Sequence, residues 1–114
     1  TPIVLLNKEA RMNKNVMEIV IWKSKPEFSE TEIVKRSKNL NEFVNNQVGF
    51  VSRDFAKNDE GQWIDFLYWD SLENAKAAAK KIETSPLCGE FFETIDMNSI
   101  QMFHFSSLYK HLAA

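Results

Sequence analysis

The alternation of apolar and polar residues divides the chain into elements before any composition is counted. From Asn15 to Ser24 the run NVMEIVIWKS is rich in β-branched residues and apolar on both alternate sets: Val16, Val20 and Trp22 on one, Met17, Ile19 and Ile21 on the other. That pattern predicts a strand covered on both faces, and Lys25-Pro26-Glu27 ends it. Ser29-Glu30-Thr31-Glu32 then reads as a capping box, with Phe28 placed to staple onto Ile33. The helix it opens carries Ile33, Val34, Leu40, Phe43 and Val44 on one stripe of a 3.6-residue period. After Gln47 the period changes to two. Val48 to Lys57 and Gln62 to Asp70 flank the turn-forming Asn58-Asp59-Glu60-Gly61, a β-hairpin pattern.

A second helix opens at Asp70 or Ser71 and runs on Leu72, Ala75, Ala79 and Ile82, a mostly alanine face that lets it sit close to what lies below. Ser85-Pro86 ends it and starts a short helix in which Leu87, Phe91 and Ile95 share a face. A last strand over Ser99 to Leu108 sets Phe103 and Phe105 against Ile100, Met102 and His104. The order β-α-β-β-α-β predicts an α+β, ferredoxin-like domain: a four-stranded antiparallel sheet with two helices on one face. Residues 1–14 read as an arm, 15–108 as the domain and 109–114 as a tail. Strands apolar on both sides, in a sheet covered by helices on one side, leave more greasy surface than a monomer exposes, so a homodimer is expected.

Composition narrows the function classes. One hundred and fourteen residues make one domain, which excludes separate cofactor and substrate lobes. The 14 basic and 16 acidic side chains give a net charge of -2, too little positive charge for a nucleic-acid partner. An RNA-recognition module shares the element order, but Gly49-Phe50-Val51-Ser52-Arg53-Asp54-Phe55 sits on the second strand, whereas that module's aromatic motif belongs on the third. No apolar run spans a bilayer, the longest being Ile3-Val4-Leu5-Leu6, so no membrane partner is expected. The lone Cys88 makes neither an internal disulfide nor a thiolate metal site, so it reads as an unreactive small residue in a reducing, cytoplasmic compartment. The chain starts at Thr1, which fits a processed precursor or a trimmed chain equally. Trp22, Trp63 and Trp69 with nine Phe and two Tyr are a large aromatic load, pointing to a subunit partner, a ligand cavity, or both.

These residues carry a resemblance. VMEIVIWKSKP, the hairpin segment GFVSRDFAKNDEGQWIDFLYWDSLENAKAAAKKI, SPLCGEFFETID and MFHF together resemble the antibiotic-biosynthesis-monooxygenase-like family of dimeric α/β barrels, over about Val16 to Ser107. The most specific piece is Tyr68-Trp69-Asp70-Ser71-Leu72-Glu73, similar to the family's aromatic-Trp-acidic-Ser junction. The resemblance implies a dimeric α/β barrel, and it includes cofactor-independent oxygenases of polycyclic aromatic substrates and heme-degrading oxygenases. The heme-degrading branch uses a histidine, an asparagine and a tryptophan. Trp69 matches the last, but no histidine lies between Gln62 and Phe103 and no asparagine follows Asn15 in the first strand, so heme degradation is not expected.

Polar side chains inside apolar strands are the candidates for chemistry: Glu18, Arg53, Asp54, Asp65 and His104. If Asn58 to Gly61 alone form the hairpin loop, Asp54 opposes Asp65; with one more loop residue, Phe55 opposes Asp65 and Arg53 becomes its diagonal neighbour. An oxygenase needing no cofactor or metal requires only a base and a dry pocket, because a deprotonated electron-rich phenol or anthrone can itself give an electron to oxygen. Asp65 and His104 are the candidate catalytic bases. Glu18, Trp22, Arg53, Trp63, Trp69 and Phe92 are the candidate substrate-binding residues for a small apolar or aromatic molecule. The plainer readings stand beside these: Asp65 as a structural partner of Arg53, His104 as a hydrogen-bonded core histidine, Glu18 as a bridge across the dimer, the indoles as packing. The alternative function is a dimeric protein that binds or senses a small molecule without turning it over.

Overall fold

The computed structural model describes residues 15–114, and the arm read over 1–14 lies outside the described residues. The elements are β1 (Val16–Ser24), α1 (Glu30–Asn45), β2 (Phe50–Lys57), β3 (Gln62–Trp69), α2 (Leu72–Ile82), α3 (Pro86–Phe92) and β4 (Ile95–Ser106). The strands form one sheet in the order β2-β3-β1-β4, antiparallel throughout. This is the α+β, ferredoxin-like arrangement that the element order predicts, with α3 as the short helix expected after Ser85-Pro86.

Local chemistry sets the element ends. The Ser29 side chain caps α1 by accepting from the Glu32 amide at 3.1 Å, while the Glu32 carboxylate turns away to Arg36 at 2.9 Å, so only half of the capping box forms. For α2 the cap is Ser71, accepting from the Asn74 amide at 3.1 Å. Asp70 bonds instead to the Asn74 side chain at 2.7 Å. Because helical side chains tilt toward the N-terminus, Leu72 overhangs the open end of α2 and is 38% exposed; Ala75 and Ala78 are the residues buried against the sheet. In α3 the inward pair is Cys88 and Phe91, Leu87 faces outward, and Ile95 belongs to the next strand and not to this helix.

The core lies between the sheet and the helices, where Trp22, Trp63, Leu67 and Trp69 meet Ile33, Leu40 and Val44 of α1 and Phe91 of α3. Trp22 stacks on Trp63 with centroids 5.5 Å apart, and Phe55 continues the stack at 5.2 Å from Trp63. Among the described residues the opposite face carries no helix. There the cross-strand rows Phe105, Met17, Tyr68 and Phe103, Ile19, Phe66 run over three strands, with Phe103 42% and Phe105 50% exposed.

Two irregularities shape the rim. Where β2 meets β3 the register slips between Phe50 and Ser52, next to Gly49. Gly49 has φ +84°, its carbonyl accepts from the Asp70 amide at 2.8 Å, and a Cβ there would run into the Asp70 carboxylate. Gly49→Ala is expected to destabilise the fold by about 1–3 kcal/mol, read as a lower midpoint in urea unfolding. The second slip lies between Ile21 and Lys23 on the β4 side, where the Ser99 hydroxyl accepts from the Lys23 amide at 2.8 Å. The expected start of the last strand at Ser99 is therefore four residues late: Asp96, Asn98 and Ser99 are turn-forming by type, yet they sit inside β4 as an irregular stretch.

Candidate functional site

On the helix-facing side of the sheet, alternation brings Val16, Glu18, Val20 and Trp22 of β1 alongside Trp63, Asp65, Leu67 and Trp69 of β3. Above them the helices do not close completely. A cavity of about 410 Å³ remains, within the size range of small-molecule sites. Its floor includes Val20, Trp22, Leu67 and Trp69, its roof Leu40 and Val44 of α1 with Ala78 and Ala79 of α2, and its flank Ile100 and Met102 of β4. The ionisable lining residues are Glu18 and Asp65, both buried, and Glu83, which is exposed.

Asp65 meets Arg53. The hairpin takes the longer loop, so Phe55 opposes Asp65 and Arg53 opposes Leu67, one diagonal step away. The guanidinium Nε lies 2.5 Å from Asp65 Oδ1, and both side chains are almost fully buried. Arg53 Nη1 donates to the Ser37 carbonyl and to Asn41 Oδ1, each at 2.9 Å, which ties β2 and β3 to α1. Its Nη2 is buried without a hydrogen bond among the described residues, and the ring of Phe55 lies 5.0 Å beneath the guanidinium carbon. Burial pushes the Asp65 carboxyl above the ordinary carboxylate range; Arg53 opposes the shift by charge and by hydrogen bond without cancelling it.

Glu18 meets His104. The two are directly opposed across β1 and β4, and His104 Nε2 lies 2.7 Å from Glu18 Oε2. The Trp69 indole donates to Glu18 Oε1 at the longer distance of 3.4 Å. The candidates thus separate into layers. Glu18, Trp22, Asp65, Trp69 and Phe92 face the cavity, while Arg53 and Trp63 stand behind that wall and His104 reaches it through Glu18. Asp54 is exposed on the opposite face of β2.

Several lining residues had not been singled out from sequence. Phe43, Leu40 and Val44 carry the helical stripe, and Ile100 and Met102 the alternation of β4, so both signals were present as packing signals. Met97 had none, because the strand irregularity brings it to the rim. The segment 85–92, where a heme-degrading histidine would be sought, forms the turn into α3 and buries Cys88, whose thiol is pushed up by burial and is no ready nucleophile. Among the described residues no group of three or more His, Cys, Asp or Glu side chains is placed to hold a metal ion, and no helix is long and apolar enough to cross a membrane.

No protein-family model and no curated protein matches the sequence. Solved structures do match in shape. SnoaB from Streptomyces nogalater, a cofactor-independent oxygenase, superposes with a TM-score of 0.67 at 12% identity, covering 82% of this chain and 92% of its own. A protein from Chloroflexus aurantiacus J-10-fl assigned to the antibiotic biosynthesis monooxygenases gives 0.59 at 15% identity, covering 85% and 96%. A dimeric protein of unknown function and ferredoxin-like fold from Bacteroides fragilis NCTC 9343 gives 0.57 at 17% identity, covering 82% and 96%.

Proposed function

The chain has the antibiotic-biosynthesis-monooxygenase-like fold, and from that fold and its cavity we propose that it is a cofactor-independent monooxygenase or related small-molecule enzyme acting on an apolar or aromatic substrate. The observation that carries this reading is a largely apolar void whose buried ionisable walls are two carboxylates, Glu18 and Asp65, one backed by the His104 imidazole and the other by the Arg53 guanidinium, each on a neighbouring strand. Such a site can take a proton from a weakly acidic C–H or O–H group and keep water from the resulting anion. With an anthrone, the CH₂ carbon loses both hydrogens and becomes C=O. One oxygen atom of O₂ enters that bond and the other leaves as water, so O₂ accepts the four electrons the carbon gives up. Asp65 and His104 are the polar catalytic groups of this reading, with Trp22, Trp69 and Phe92 as the aromatic wall. SnoaB, of the same shape, is a cofactor-independent oxygenase, which supports the assignment.

The same reading includes a homodimer. The helix-free face, with its two aromatic and aliphatic rows, is the surface a second copy would cover, and the Bacteroides fragilis protein of the same fold is dimeric.

Oxygen consumption with anthrone tests the enzyme. The protein is expected to raise uptake above the buffer rate, and Asp65→Ala and His104→Ala are each expected to lower it by about 10²-fold or more. Unchanged uptake in both variants would remove those roles. One feature favours a binding or sensing protein instead: both carboxylates are already engaged, by Arg53 and by His104. In that case native mass spectrometry of the freshly purified protein shows a retained ligand that survives air.

A further inference from the structure

The two carboxylates of the cavity differ in where a proton could go next. Asp65 is held by a guanidinium, a group that does not give up its proton in proteins, and both partners are sealed, with side chains 6% and 5% exposed. A proton delivered to Asp65 has no outlet. Glu18 is held by an imidazole, which exchanges protons at ordinary pH, and exposure rises along the pair from 8% at the Glu18 side chain to 19% at His104. His104 sits on β4, one of the two edge strands of the sheet among the described residues.

The oxygens of Glu18 differ too. Oε2 makes the short bond to His104, while among the described residues Oε1 has only the 3.4 Å contact with the Trp69 indole, beyond the usual range for N–H···O, and so keeps acceptor capacity. Trp69 lines the cavity beside it.

We propose that Glu18 is the group that takes the substrate's proton, at Oε1, and that His104 is the proton outlet from the cavity to solvent. This rests on the small-molecule-enzyme reading above and divides the work within it. In the step, a substrate C–H bond breaks, its electron pair stays on carbon, and an O–H bond forms at Glu18 Oε1. Glu18 then passes the proton to Nε2 of His104, and the imidazole gives one up from Nδ1 to water. The pair holds the same number of protons before and after, so no charge builds up on it inside the apolar wall. Asp65, locked to Arg53, then orients the polar end of the substrate.

Hydrogen–deuterium exchange at the anthrone methylene, in D₂O without oxygen and read by mass spectrometry, separates proton removal from oxidation. The wild type is expected to exchange the methylene faster than buffer at the same pD. Glu18→Gln is expected to lose about 10²-fold or more of that exchange, and Glu18→Asp to regain part of it, which distinguishes loss of the base from loss of the fold. In His104→Gln the proton trapped on Glu18 returns to the same carbon, so exchange falls further than oxygen uptake does; a merely structural role would lower both equally. Full exchange in Glu18→Gln, or an equal fall of exchange and uptake in His104→Gln, overturns the relay while leaving the enzyme intact. A wild type that quenches its tryptophan fluorescence with anthrone but neither exchanges nor oxidises it overturns the enzyme reading itself, and the relay with it.

Discussion

Arg53→Ala is expected to lower stability by about 3–5 kcal/mol, the cost of leaving a buried carboxylate without its partner. Three bonds go together in this variant: the pair with Asp65 and the two that reach α1 at the Ser37 carbonyl and Asn41. The deficit depends on pH in a direction the site fixes. Burial already holds the Asp65 carboxyl above its ordinary value, and Arg53 is the influence that lowers it. Without the guanidinium the folded-state value rises further above the unfolded one, about 3.9. The native state of the variant therefore binds the Asp65 proton more tightly than the unfolded chain does, and its stability falls as pH rises through the folded value. Denaturation of wild type and variant at a series of pH values should show the gap narrowest near pH 4 and widest near neutrality, by the linkage relation. A gap independent of pH would mean that lost packing on Phe55, and not the stranded charge, sets the cost. Replacing both members by Met and Leu is expected to recover much of the loss, since an apolar pair of similar volume removes the stranded charge.

The second large effect concerns the helix-free face. Phe66 stands at its middle, paired with Ile19 and in tilted ring contact with Tyr68 at a 5.2 Å centroid separation. A glutamate there would place an unpaired charge at the centre of the proposed subunit contact, and Phe66→Glu is expected to weaken dimerisation by at least about 30-fold, from the 2–5 kcal/mol that such central residues carry. Sedimentation at micromolar concentration reads this directly, with far-ultraviolet circular dichroism confirming that the strands persist. A wild type that sediments as single chains would remove the dimer from the reading.

How much of this was legible in the residues themselves can be seen at particular points. The strands of the hairpin were legible because Trp63, Asp65, Leu67 and Trp69 alternate cleanly with Ile64, Phe66 and Tyr68. The register was not, because it turns on a side chain: Asn58 Oδ1 accepts from the amides of Glu60 and Gln62, at 3.0 and 2.9 Å, and that turn chemistry selects the longer loop. The choice places Arg53, and not another carboxylate, against Asp65. The Glu18–His104 pair was out of reach for another reason. Its members are 86 residues apart, and only the pairing of the first strand with the last puts them opposite one another. Single residues at element ends were the other losses: Leu72 at the first turn of α2, and Asp96, Asn98 and Ser99, whose turn-forming types conceal a strand start.

The alanine face of α2 has a consequence for the history such a site can have. Ala78 and Ala79 form part of the ceiling over the void while the acid–base groups all stand on the sheet below. Ceiling and chemistry are therefore separate inheritances. One-letter changes on the helix can raise or lower the headroom, admitting bulkier or slimmer guests, while the proton-handling floor is passed on untouched. A scaffold built this way can diversify in what it accepts far faster than in what it does.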